Sequence, residues 1–439
     1  MERLKTKKLF EQALKVIPGG VNSPVRAFKE VGIFPMVVDH GIGDLIYDAD
    51  QRSYIDFCMS WGALILGHAH KEVVKKVQER VAKGSTFGIT CKEEIELASW
   101  MTKTLPHIQK VRFVSSGTEA VMTAIRLARG FTNAKYIIKF DANYHGAIDA
   151  LMVKAGSYLK SVPSAGGVIE EAVSYTISLP FNDLANVKQF FSSFHEPIAA
   201  ILIEPIAGNM GVVPASLEFL TLLREESSKR GAVLIFDEVI SGFRVAYQGA
   251  SCLYGIQPDL VCFGKIVGGG YPAAAIGGTH EIMDHLAPLG KVYQAGTLSG
   301  NPVAMCAGLA VLQEVSKPKF YDELLAKTQG FIEPIQKLID QLDLPACIQS
   351  KGSMFTLFFG VKTVTGSHDL EHLDQAVFKK FFQHLFVHGV YIPPSQFEAW
   401  FISEAHTVEH LEKAQLLVME FLKKWATSRH EQKELVALS

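Results

Sequence analysis

Long hydrophobic runs are missing from this chain: no stretch reaches the roughly 18 uninterrupted apolar residues that a membrane-spanning helix needs. A membrane span is therefore not expected. Charge of one sign is also missing, since 43 Lys plus Arg face 45 Asp plus Glu for a formal charge of -2. With no long basic block, neither nucleic acid nor anionic lipid is an expected partner, and a small molecule is. Cysteine is sparse: Cys58, Cys91, Cys252, Cys262, Cys306 and Cys347 are scattered without CxxC or metal-ligand spacing. That pattern reads as reduced core thiols in a cytoplasmic protein without a metal. No HExxH occurs and no GxGxxG follows a strand run. Gly264-Lys265 is followed by Ile266, and the nearest upstream glycine is Gly255, so the P-loop pattern fails too. His68 and His70 in GHAH read as structural rather than metal ligands.

What is present is globular composition, 48% hydrophobic and 20% charged over 439 residues, a length that calls for two or more domains. The opening stretch MERLKTKKLFEQALKVIPGG lacks a continuous apolar core and reads as an amphipathic helix with Phe10, Ala13, Leu14 and Ile17 on one face. Short strands are expected over 36 to 57, then a helix with Val73, Val74, Val77 and Val81 on one side and another near 93 to 105. Apolar runs then alternate with helical stretches: VRFV at 111, YIIKF at 136, AAILI at 199, AVLIF at 232 and LVCF at 260. This is the pattern of a buried, mostly parallel sheet with helices on its faces, an α/β fold. Residues 153 to 169 read as a mobile loop, and a helix is expected to start near Asn301-Pro302. Past about 316, helices near 320 to 341, 370 to 388 and 407 to 426 around strands at 355 to 359 and 389 to 392 suggest a smaller α+β domain. The expected division is an N-terminal segment 1–60, a large domain 61–316 and a small domain 317–439.

Ligands of such sheets bind where the strands end, and chemistry-bearing residues follow the strand runs. Lys265 follows LVCF, and Gly264 with Gly268 to Gly270 leaves room for a flat ring to approach it. A desolvated lysine of this kind can form a Schiff base, although alone it reads more readily as a solvated loop lysine. VRFV leads through Ser115 into Ser116-Gly117-Thr118 at a helix start, which suits a phosphate or simply caps the helix. AVLIF runs into Asp237-Glu238, where a carboxylate needs a cationic or hydrogen-bonding partner such as a protonated pyridine nitrogen, or else forms an ordinary ion pair or helix cap. Tyr144 after YIIKF offers a stacking face or simply packs, Glu204-Pro205 ends AAILI as an acid or a turn, and Thr297 in QAGTLSGNP is a hydroxyl beside glycines that binds phosphate or caps a helix. Together these describe pyridoxal 5'-phosphate, held by the protein and acting as an electron sink.

At these residues the chain resembles the class III pyridoxal-phosphate aminotransferases, with fold type I, through SSGTEA, YHG, IFDEVISGFR and FGKIVGGGYP. Through IPGGVNSPVRAF, SWG with LGH, RLARGFT, EPIAGNMG, VYQAGTLSGNP and PPSQFEAWF it resembles the branch that rearranges glutamate-1-semialdehyde. The resemblance implies that Lys265 is the Schiff-base lysine, Asp237 the partner of the pyridine nitrogen and Tyr144 the stacking aromatic. Ser116, Gly117 and Thr118 would form the phosphate cup, joined by Thr297 from the second subunit of a homodimer. Arg26 would grip the substrate carboxylate, with Ser23, Trp61 and Glu398 around the substrate. The reaction implied is isomerisation of glutamate-1-semialdehyde to 5-aminolevulinate, a tetrapyrrole (porphyrin) precursor. A pyridoxamine form would donate its amine to give 4,5-diaminovalerate, and the resulting pyridoxal form would remove the other amine. The loop at 153 to 169 would be the gate.

Ser115, Asn143, Ala147, Tyr158 and the run PAAA at 272 to 275 depart from the family pattern, and none removes a predicted chemical group. Three other readings compete. An ω-amino-acid aminotransferase would keep the cofactor and need an external 2-oxo acid. A non-catalytic cofactor-binding homologue would keep the site and lack turnover. A dehydrogenase lacks its dinucleotide fingerprint.

Overall fold

The structure is a computed structural model that describes residues 3–154 and 162–437. It contains two compact units, one of residues 71–321 with 365–368, the other of residues 1–70, 322–364 and 369–439.

The first unit is built on a seven-stranded sheet. Its strands are Lys110–Val114 (β1), Tyr136–Phe140 (β2), Thr176–Leu179 (β3), Ile198–Ile203 (β4), Val233–Glu238 (β5), Leu260–Phe263 (β6) and Ala274–Gly278 (β7). The order is β1-β7-β6-β5-β4-β2-β3, with β7 antiparallel to both neighbours and the pairs β6-β5, β5-β4, β4-β2 and β2-β3 parallel. Every residue of β4 and β5 is buried, as expected for a parallel sheet covered on both faces. Each fully buried Ile, Leu or Val there stabilises the fold by about 1.5–3 kcal/mol. The five expected runs are all strands of this sheet. β3 and β7 complete it, and β5 runs on through Asp237 and Glu238.

Helix Gly117–Thr132 follows β1, capped by Ser116, whose hydroxyl accepts the N–H of Glu119. Helix Pro302–Val315 starts where Asn301 caps the N–H groups of Val303 and Ala304. Gly269 lies against this helix: a Cβ there would sit 2.5 Å from the backbone of Ala307. That glycine therefore serves helix packing rather than the approach of a ring. Helices Lys71–Val81 and Lys92–Thr104 complete the outer layer. Of the four valines expected on one apolar face, Val73 and Val77 are buried, whereas Val74 and Val81 are exposed.

The second unit holds a four-stranded sheet of Val38–Ile42, Leu45–Asp48, Ser53–Asp56 and Val390–Tyr391, and a three-stranded one of Ala346–Lys351, Met354–Phe359 and Trp400–Phe401. Helices Gln375–Val387 and Val408–Ala437 pack around them, with Phe381 against Trp400 and Phe421. Helix Leu4–Val16 buries Thr6 and Phe10, but Leu14 of the expected apolar face is half exposed. Ser53–Asp56 leads into an unusual turn. Met59, Ser60 and Trp61 all have positive φ, at 44°, 53° and 59°, and Gly62 follows at 87°. For residues with a Cβ this left-handed conformation costs about 1–2 kcal/mol each, so surrounding contacts must impose it.

Candidate active site

The strand termini of the large sheet surround a cavity of about 320 Å³ lined by Ser115 to Thr118, Tyr144 to Gly146, Glu204, Asp237, Val239 and Lys265, among others. Seven of the expected site residues thus meet in one place: Lys265, Asp237, Tyr144, Glu204, Ser116, Gly117 and Thr118. Lys265 opens a 3-10 turn directly after β6 with a left-handed φ of 48°. Its side chain is half-buried at the cavity wall.

Asp237 is fixed from two sides. Its Oδ2 accepts from His145 Nδ1 at 2.7 Å and its Oδ1 from the N–H of Val239 at 3.1 Å. Burial lowers the pKa of His145 despite the opposing pull of Asp237. A neutral ring therefore donates through Nδ1, and its Nε2 finds no partner among the described residues. His145 lines the cavity and was not singled out by the sequence. Its position inside YHG was the available signal, but the partner lies 92 residues away.

Glu204, the acid that ends a strand, is held by a set of backbone and side-chain donors. Fully buried, it accepts from the N–H groups of Tyr144 (2.7 Å) and Gly208 (2.9 Å) and from Asn209 Nδ2. Burial, reinforced by the charge of Asp237, pushes its carboxyl up to about 8, against the pull of those donors. Asn143 returns the tie by accepting the N–H of Glu204 at 2.9 Å. The Asn143–Gly146 segment is thus stitched to the end of β4. Tyr144 stays 55% exposed and lines the cavity.

Three glycines shape the cradle. A Cβ on Gly146 would sit 2.4 Å from Thr118 Oγ1, and Cβ atoms on Gly117 and Gly264 would each come 3.0 Å from Val239 Cγ1. Val239, two residues past Asp237, forms a wall that the sequence reading missed. The first-turn N–H groups of helix Gly117–Thr132 lack intrahelical acceptors and suit an anion.

Thr297 lies on an exposed stretch and does not line this cavity. Ser23, Arg26, Trp61 and Glu398 belong to the other unit. Arg26 stands exposed in the 3-10 turn Pro24–Ala27, anchored by Phe28, which stacks on Tyr391 at 5.9 Å. The charges of Arg26 and Glu398 reach the half-buried Tyr391 and the buried Cys58 respectively, and these two bond each other. Arg26, Glu398 and the turn of Trp61 therefore border one cluster around Cys58 and Tyr391. The expected gate loop falls partly on residues 155–161, including Tyr158, which lie outside the described residues.

Fold and site together define an enzyme of the aminotransferase kind, with lysine, carboxylate, aromatic face and anion cradle at the carboxyl edge of one sheet. The chain belongs to the class-III aminotransferases, a pyridoxal-phosphate-dependent family of fold type I whose model matches residues 27–420. Within that family its similarity is to glutamate-1-semialdehyde 2,1-aminomutases. One from Protochlamydia amoebophila is 52% identical over 422 residues, 95% of this chain and 98% of its own length. Another, from Aquifex aeolicus, is 48% identical over 413 residues, 94% and 97% of the two chains. The crystal structure of an omega-transaminase from Sphaerobacter thermophilus matches with a TM-score of 0.87 at 32% identity, over 95% of this chain and 97% of that one.

Proposed function

We propose that this chain isomerises glutamate-1-semialdehyde to 5-aminolevulinate, using pyridoxal phosphate that starts the cycle in its pyridoxamine form. The observation that carries the reading is the meeting of Lys265, Asp237, Tyr144 and the start of helix Gly117–Thr132 around one cavity. The relatives, of this name and matching over nearly the whole chain, point the same way. The donor set fits the cofactor. A strand-end carboxylate oriented by His145 suits a protonated ring nitrogen, the cavity lined by Tyr144 and Val239 suits a flat ring, and the Gly117–Thr118 N–H groups suit a phosphate. When bound, the cofactor supplies an electron sink and an exchangeable amine.

The chain's own residues then have defined tasks. Asp237 would hold the ring nitrogen. Lys265 Nζ would anchor the cofactor and move protons to and from the substrate carbons. Arg26 holds the substrate carboxylate through its fork of N–H donors, with Ser23, Trp61 and Glu398 around the rest of the substrate. The chain works as a soluble cytoplasmic homodimer that needs neither nucleic acid nor membrane. Exposed Tyr293 and Leu298, which flank Thr297 in the chain, support a covered face there, from which Thr297 would reach the partner's phosphate site. No helix of the described residues is long and apolar enough to cross a membrane.

The test is conversion of glutamate-1-semialdehyde by the purified holoenzyme with no keto acid present, beside Lys265→Ala. Product from the wild type alone is expected. Turnover that requires an added 2-oxo acid would replace the reading with an ordinary aminotransferase.

A further inference from the structure

The SWG and LGH motifs are separated by only a few residues, and the proposed chemistry gives no task to Gly67 or His68. The structure joins the motifs through Asp56, which is 2% exposed. Its Oδ1 accepts from the N–H groups of Cys58 (2.8 Å) and Met59 (3.0 Å), at the entrance of the left-handed turn. Its Oδ2 is 2.7 Å from His68 Nε2, which donates to it. His68 is itself clamped: its N–H and C=O pair with the C=O and N–H of Gly43 at 2.6 and 2.9 Å. Two glycines permit this clamp. A Cβ on Gly41 would meet the His68 ring at 2.7 Å, and one on Gly67 would meet Gly43 O at 2.6 Å. At the far end of the turn, Gly62 packs so closely on the Phe401 ring that a Cβ would lie 2.7 Å away.

We propose that Asp56 and His68 are positioning residues, a buried carboxylate and a half-buried imidazole that hold Met59–Gly62 left-handed and so aim Trp61 at the substrate. A carboxylate accepting two successive N–H groups fixes the entry to the turn, and the histidine prevents that carboxylate from rotating away. The proposal rests on the reading of Trp61 as a substrate neighbour, and it makes His68 a determinant of substrate affinity rather than a metal ligand.

The test uses holoenzyme labelled with 5-fluorotryptophan, whose four fluorine resonances include one assigned to Trp61 by Trp61→Phe. His68→Gln carries an amide to the level of Nε2 and keeps the bond, whereas the shorter His68→Asn stops near Nδ1 and loses it. His68→Asn is expected to shift the Trp61 resonance alone and to raise KM about tenfold with kcat within about threefold, the cofactor absorbance unchanged. His68→Gln is expected to leave both readouts near wild type. Because glycine accepts positive φ without strain, adding Ser60→Gly to His68→Asn is expected to move both back, and to restore folding if His68→Asn alone does not fold. An unmoved Trp61 resonance with wild-type KM, movement of all four resonances together, or no rescue by Ser60→Gly would each overturn the proposal. A wild type inert toward glutamate-1-semialdehyde would remove the functional reading while the fluorine shifts still tested the positioning.

Discussion

Asp237 and Glu238 are consecutive acids in β5, and strand alternation sends them to opposite faces. Asp237 lines the cavity beside His145. Glu238 turns away and accepts the N–H groups of Ala250 (2.6 Å) and Ser251 (3.2 Å) and the hydroxyl of Ser241. Burial, with its hydrogen bonds opposing, pushes Glu238 up to about 7. The sequence shows two acids at a strand end. Which one faces the ligand depends on register, and register was legible only once Asp237 was matched to its family position. Asp237→Asn removes the charge that would hold the ring nitrogen protonated and is expected to lower kcat/KM at least about 100-fold. Glu238→Gln is expected to leave kcat/KM within about threefold while changing thermal stability. Steady-state kinetics of the two variants in parallel check the contrast, and equal losses would place Glu238 in the site as well.

At the scale of elements, the segment Asn143–Gly146 shows how a loop becomes a rigid wall. It is tied to β4 through Glu204 and Asn143, to β5 through His145, and by close approach to the start of helix Gly117–Thr132. Gly146→Ala meets two obstacles, a φ of 86° and a contact of 2.4 Å with Thr118 Oγ1. The loop must then withdraw from the helix start, and cofactor affinity is expected to fall about tenfold or more, measured by retention of the cofactor absorbance on dialysis. Five strands of the large sheet were legible because each is an apolar run ending at a polar residue. β3 and β7 were not: TISL is short and half polar, and AAIGG is too small and glycine-rich to register as a strand. Likewise SWGALILGHAH shows apolar content but gives no sign of a left-handed turn, because φ at Met59–Trp61 is imposed by contacts distant in sequence. The residues after strand runs could be placed from sequence. Their supporting partners, His145, Asn143 and Val239, follow from tertiary contacts that no local pattern encodes.

For the whole molecule, buried titratable groups set the shape of the pH–stability curve. His107 and His406 are pushed down to about 4 by burial, and Glu204 and Glu238 are pushed up to about 8 and 7. As pH falls from 6.5 toward 4, the unfolded chain protonates its histidines while the native chain does not, so the histidines reduce stability. As pH rises from 4.5 toward 7 or 8, the unfolded chain releases glutamate protons that the native chain retains, so the glutamates also reduce stability. Between 4.5 and 6.5 the two pairs act in opposite directions, and their joint contribution is a plateau that declines on both sides, each group being worth on the order of a few kcal/mol. Removing one histidine should tilt that plateau. His406→Asn keeps an acceptor for the N–H of Ser403, which His406 Nδ1 holds at 2.9 Å. It gives up nothing at Nε2, which has no partner among the described residues. Relative to wild type, its melting temperature is expected to rise steadily as pH is lowered from 6.5 to 4.5. Melting curves of the two proteins taken across that range check this, and a constant difference would mean that His406 takes up its proton as readily in the folded chain as in the unfolded one.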